Sequence, residues 1–187
     1  MNLKTLKDTE FFKTLLKDRP QMKIEVNKFN IRWGEFWSKD REAVGRVLIS
    51  HLCVEYYLER YIVAANPGLG RLDKARLSFS QKMALAYGAE GHGMKFLDSG
   101  LRALNKVRNE LAHNINARPD GKDLQPMRTL VRGWNKASGR AVPKGIDVVS
   151  EFARIASLLL FAWTNGIARY GQGKGAVGYH EWLKKAL

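Results

Sequence analysis

The chain has 187 residues, 45% of them hydrophobic and 27% charged, enough for one filled core and unlike the composition of a disordered chain. Lys and Arg number 32 against 18 Asp and Glu, a formal charge of +14 that favours polyanionic partners, nucleic acid before anionic membrane. A single cysteine, Cys53, excludes an internal disulfide framework and a Cys-rich zinc site within one chain, which fits a reducing, cytoplasmic setting.

No long apolar run precedes Asp8 and Glu10, so the N-terminus does not read as a secretory signal. Residues 3–18, with Leu3, Leu6, Phe11, Phe12, Leu15 and Leu16 among lysines, predict a short amphipathic helix stopped by Pro20. The aromatic stretch from Gln21 to Trp37 shows no clear period and leaves room for a short strand; together with what precedes it, it reads as an appended segment, 1–38. Ser38 is the expected N-cap of a long helix over 39–65, ended by Asn66-Pro67-Gly68. Its seam runs Val44, Leu48, His51, Glu55, Leu58, Ile62 at alternating steps of four and three, with Glu55 among apolar neighbours and His51 read as a satisfied core histidine.

Ser78 or Ser80 opens a shorter helix over 79–88. The next helix, over 94–117, has the seam Leu97, Leu101, Leu104, Arg108, Leu111, Ile115, in which an arginine stands where the period calls for leucine. Beside it, Arg102, Asn105, Lys106, Asn109, His113 and Asn116 form a polar stripe. Residues 118–146 are punctuated by Pro119, Gly121, Pro126, Gly133, Gly139, Pro143 and Gly145 and read as a basic linker carrying seven Lys and Arg against two Asp. Asp147 then opens a helix over 147–170 with Phe152, Ile155, Leu159, Trp163 and Ile167 on one face. Its most apolar part, Ile155 to Trp163, is far shorter than the roughly 20 residues that span a bilayer, so no membrane partner is expected. Residues 171–187 read as a glycine-rich run and a short tail helix from His180. The expected fold is all-α, an up-and-down bundle of four main helices over 39–170 with a basic insertion before the last.

Arg108-Asn109-Glu110-Leu111-Ala112-His113 carries the chemistry. RNA brings its own nucleophile, the 2′-hydroxyl, so its cleavage needs proton transfer and stabilisation of charge on phosphorus. An imidazole titrates near neutrality, and a guanidinium presents a fork matched to two phosphate oxygens. Neither group requires a metal, and no His, Cys and carboxylate cluster with ligand spacing competes, so no metal or cofactor is expected. Residues five apart on an ideal helix differ by about 140° in direction, so Arg108 and His113 converge only through a kink or a second chain. Arg108 is also expected to pair with Glu55 across the bundle, a contact that would be architectural whether or not catalysis occurs. Arg102, Lys106, Arg128, Arg132 and Lys136 are the candidate nucleic-acid contacts, with Trp134 as a stacking residue.

An arginine, a polar residue after it and a histidine beyond, on a helix of a small bundle, resemble the signature of the HEPN superfamily in its Arg-x4-His form. Leu104-Asn105-Lys106-Val107 before the motif and Asn114 after it are similar too, and the likeness covers about residues 40–170. The resemblance implies a metal-independent endoribonuclease, a homodimer with a cleft where two subunits pack, and Arg108 and His113 as the catalytic pair; a toxin–antitoxin or phage-defence setting is the leading expectation, with Asn109 and Glu55 taken beside the pair as further site residues. It also admits an antitoxin or defence-system partner protein. The alternative is a non-catalytic helical regulator, similar to the mannitol-repressor-like branch, or a nucleic-acid-binding adaptor. Asn114, Ile115 and Asn116 follow His113, so the tyrosine that nucleotidyltransferase antitoxins modify in some toxin members is missing.

Overall fold

The computed structural model describes residues 20–37, 41–70, 72, 74–88, 92–114, 117–119, 121–137 and 139–170. Among these it contains six α-helices and no strand: α1 (Pro20–Trp37), α2 (Arg41–Ala65), α3 (Phe79–Gly88), α4 (His92–His113), α5 (Gly121–Ala137) and α6 (Asp147–Tyr170), with a 3-10 turn at Pro67–Leu69. The all-helical class stands, but the count of four main helices does not. The helices expected at 3–18 and 180–187, the glycine run after 170 and the Ser38 cap lie outside the described residues. No described helix is long and apolar enough to cross a membrane.

The chain divides into two units, residues 1–41 and 42–187. In the first, the aromatic stretch read as irregular is α1. Phe29 and Trp33 are one turn apart and stack with centroids 5.8 Å apart, so the clustering of rings reflects a helix face and not a strand.

In the second unit, local chemistry sets the helix ends. Asn66 closes α2 by turning both its backbone N–H and its side-chain amide to the carbonyl of Ile62, each at 2.9 Å, and Pro67 cannot continue the helix. Ser78 and Gln81 form a reciprocal capping box at the start of α3: the Ser78 N–H donates to Gln81 Oε1 at 2.8 Å and the Gln81 N–H donates to Ser78 Oγ at 3.3 Å.

The 118–146 stretch corrects the sequence reading most. It is not a linker: α5 occupies most of it, with Pro126 inside the helix. Leu124, Met127, Leu130 and Val131 recur at helical spacing and are all buried, and that apolar stripe outweighs the one backbone hydrogen bond Pro126 cannot donate. Gly139, which has the look of punctuation, takes φ +66° just past the helix end, and the Arg140 N–H reaches back to the Asn135 carbonyl at 2.9 Å. That is the six-to-one closure of a Schellman cap, for which a residue without Cβ is favoured. The buried Asn135 amide then donates to the Ala141 carbonyl at 2.8 Å and fixes the turn toward α6.

α4 packs on α3, α5 and α6, and α5 packs on α6. α2 and α6 run in the same direction, because successive contacts join Arg46 to Asp147, Cys53 to Ser157 and Tyr61 to Trp163. The shared core includes Val47, Val54, Leu58 and Ile62 of α2, Leu97, Leu101, Leu104 and Val107 of α4, Met127 and Val131 of α5, and Phe152, Ile155 and Leu160 of α6. Each such aliphatic side chain contributes roughly 1.5–3 kcal/mol on burial. The closest approach is at Gly100 of α4, where a Cβ would sit 2.6 Å from Cζ of the fully buried Phe152.

Gly100→Ala should therefore lower stability. The gain in helix propensity, roughly 0.5–1 kcal/mol, is smaller than the roughly 1–3 kcal/mol of overpacking in a filled core. Thermal or urea unfolding should show the loss, and Phe152→Leu in the same chain should recover part of it. A stabilised Gly100→Ala protein would contradict the packing described.

Candidate nucleic-acid and catalytic site

α4 divides its circumference among its neighbours. Leu97, Leu101, Leu104, Val107 and Leu111 are buried, so Val107 and not Arg108 continues the apolar seam. Arg108 stands half-buried on the flank toward α2, and its Nη1 donates to Asn109 Oδ1 at 2.9 Å. Among the described residues no ion pair joins Arg108 to Glu55, so the expected cross-bundle pairing is replaced by another.

The replacement is Lys82. Its Nζ donates to Glu55 Oε1 and to Glu59 Oε1, both at 2.5 Å, tying α3 to two successive turns of α2. Burial opposes the charge on Lys82, but hydrogen bonds to the two carboxylates outweigh it and hold its pKa above the ordinary 10.5. His51, one turn before Glu55, is buried, with Nε2 3.3 Å from Asn105 Oδ1, Nδ1 3.6 Å from Glu55 Oε2, and its ring against Phe79 at 4.5 Å. Burial pushes the His51 pKa below 6.5; Glu55 and the Asn105 bond pull the other way, and the Arg108 and Lys82 charges add to the lowering. His51 is thus a satisfied core histidine within Arg108's electrostatic reach.

His113 closes α4 and is exposed. The chain then turns through Asn114, whose N–H donates to the Glu110 carbonyl at 2.8 Å, and passes Arg118 to enter α5. Among the described residues no hydrogen bond joins His113 to Arg108; the two lie on different sides of the helix, as a five-residue step requires.

The five expected nucleic-acid contacts separate. Arg132 and Lys136 are exposed on α5. Arg102 is paired with Asp98 at 2.8 Å, and Lys106 bridges α4 to α5 through Asp123 at 2.8 Å while also facing Glu110 at 3.6 Å. Arg128 is half-buried, its Nε lacking a hydrogen-bond acceptor among the described residues. Trp134 is half-buried against the core rather than open for stacking. Glu55 belongs to the Lys82 network, and Asn109 holds Arg108.

The helical placement of 121–137 reveals what a linker reading could not. Lys122, Gln125, Thr129, Arg132 and Lys136 are all exposed and share one face of α5, on which no carboxylate occurs. Exposed Arg118 precedes that face, and exposed Arg140 and Lys144 follow it. Sequence reasoning counts Lys122 among the basic residues of 118–146 and takes His51 as a core histidine, but does not single out Lys82. No family model, curated protein or solved structure matches this chain.

The His51 environment has a signed pH consequence. Its folded pKa is depressed, so as pH falls through 6.5 the unfolded chain binds a proton that the folded chain resists, and stability is lost with acidification. Unfolding midpoints measured between pH 7.5 and 5.5 should fall, and His51→Gln should flatten the slope. An unchanged slope in the variant would place the titrating group elsewhere.

Proposed function

We propose that this chain is an RNA-binding helical domain of the HEPN kind that cleaves RNA without a metal, as a homodimer, within a toxin–antitoxin or phage-defence system. The observation that supports it is the adjacency of the exposed His113, at the end of α4, to Arg118 and the carboxylate-free basic face that α5 begins at Lys122. Phosphates held along that face would release counterions and bring the strand past an imidazole. In the step proposed, the 2′-oxygen bonds to phosphorus and the bond to the 5′-oxygen breaks. That leaves a cyclic phosphate and a 5′-hydroxyl. His113 moves a proton and Arg108 holds a non-bridging oxygen. Because the two side chains leave one helix in different directions, His113 of one copy and Arg108 of another complete the pair.

A second reading is favoured by one contact. Nη1 of Arg108 is held by Asn109 on the α2 flank, the arrangement of a structural arginine in a domain that binds nucleic acid without cutting it or acts as a helical regulator.

Purified full-length chain incubated with single-stranded RNA in EDTA separates these. Cleavage by the wild type, reduced about 100-fold or more in His113→Ala and in Arg108→Ala, is the expected result. Arg132→Gln with Lys136→Gln should weaken retention and lower the slope of log affinity against log salt by about 1.4, near 0.7 for each phosphate that is no longer neutralised. RNA left intact by every form, with salt-sensitive retention, would leave binding alone.

A further inference from the structure

The face of α2 turned away from the core is apolar along most of its length. Leu48, Ile49, Leu52, Tyr56 and Val63 expose 38%, 69%, 63%, 53% and 42% of their surface, and they recur at helical steps of one, three, four and seven. Half-exposed Phe161 of α6 extends the patch, packing edge-on against Tyr57, which in turn meets Tyr56 edge-on. Side chains of this size, exposed to this degree, amount to several hundred Å² of contiguous apolar surface, roughly the scale at which patches on soluble chains mark interaction sites.

Charge decides what kind of partner fits. Residues 47–59 contain no Lys or Arg, although the chain carries 32 of them. A polyanion therefore finds no cation along residues 47–59, whereas a second strongly basic chain meets the least repulsion there.

The order of residues supplies the rest. Read about a point between Leu52 and Cys53, the stripe is self-complementary when one copy is reversed: Ile49 falls opposite Tyr56, Leu52 meets its own counterpart beside the axis, and Gly45 falls opposite Arg60. The space around Gly45 is open, with nothing within 4 Å of where a Cβ would lie, so it can receive a long side chain. Arg60 lies flat, its guanidinium carbon 5.3 Å from the Tyr56 ring centroid and its Nη1 donating to the Tyr56 hydroxyl at 3.0 Å. It would extend the stripe rather than interrupt it, one turn from the partner's acidic helix start. Such pairing of one patch with itself is the isologous contact that a two-fold axis requires.

We infer that α2 packs antiparallel against α2 of a second copy of this chain, about a two-fold axis beside Leu52. This interface goes beyond the proposed function: it uses the outward face of α2 and not the α4 ends that a His113–Arg108 pairing would join, so it holds whether or not the chain cleaves RNA.

Light scattering on the full-length protein should give twice the 21.2 kDa chain mass. Ile49→Asp and Leu52→Asp, both at exposed positions, should weaken association by roughly 30-fold or more with the helical circular dichroism and unfolding midpoint of the monomer unit kept. Leu52→Cys with Cys53→Ser should form a disulfide-linked dimer on oxidation with diamide, while Cys53→Ser alone forms none. A wild type that stays at single-chain mass at high concentration, as when residues 1–40 of the same chain cover the stripe, would overturn the inference. So would a dimer indifferent to both aspartates. RNA cleavage plays no part in these readouts, so loss of the nuclease reading and loss of this interface are told apart.

Discussion

α4 must satisfy four neighbours at once, and that constraint organises the second unit. A 22-residue helix contacting α2, α3, α5 and α6 has to spend most of its circumference on packing. Gly100 makes the tightest contact possible by yielding its side-chain volume to Phe152. The apolar arc from Leu97 to Leu111 fills the centre. Asn105 on one edge meets His51 of α2, and Lys106 on the other meets Asp123 of α5. Beyond Leu111 the last turn is exposed and has no packing duty, and His113 stands there.

The two polar edges differ in kind. The junction on the α2 side is largely withdrawn from water, and its ionisable groups are matched: one ammonium between two carboxylates, and an imidazole kept neutral by burial beside them. An arrangement of this sort fixes the relative rotation of helices more than it adds stability, since the attraction is offset by desolvation. The edge on the α5 side is open, where a solvent-screened pair contributes little. Its consequence is instead topological. With Asp123 turned toward Lys106, the remaining charge on α5 is uniformly positive on the outward face.

How far the residues foretell this differs by element. The helices over 79–88 and 147–170 are legible because caps and apolar periods agree, and the end at Ala65 follows from Asn66 and Pro67. α5 is hidden because Pro126, Gly133 and Gly139 read as breakers, whereas Leu124, Met127, Leu130 and Val131 carry an equally plain helical period. Gly139 does mark an end, but the end of a helix. Arg108 misleads for a related reason. The step of four from Leu104 reaches it, yet the step of three reaches Val107, and the core takes the smaller apolar residue. The partner of Glu55 is not legible at all, because Lys82 lies 27 residues away on a helix whose rotation depends on the packing itself.

If a polyanion meets this domain where α4 hands over to α5, the imidazoles should report it unequally. Histidine ring resonances followed by NMR during titration with a short RNA in EDTA give the most direct test. His113 should shift as the basic face of α5 fills, while His51, enclosed between Asn105 and Glu55, should stay where it is. RNA binding that leaves His113 unmoved would contradict the account and place the nucleic acid on another surface.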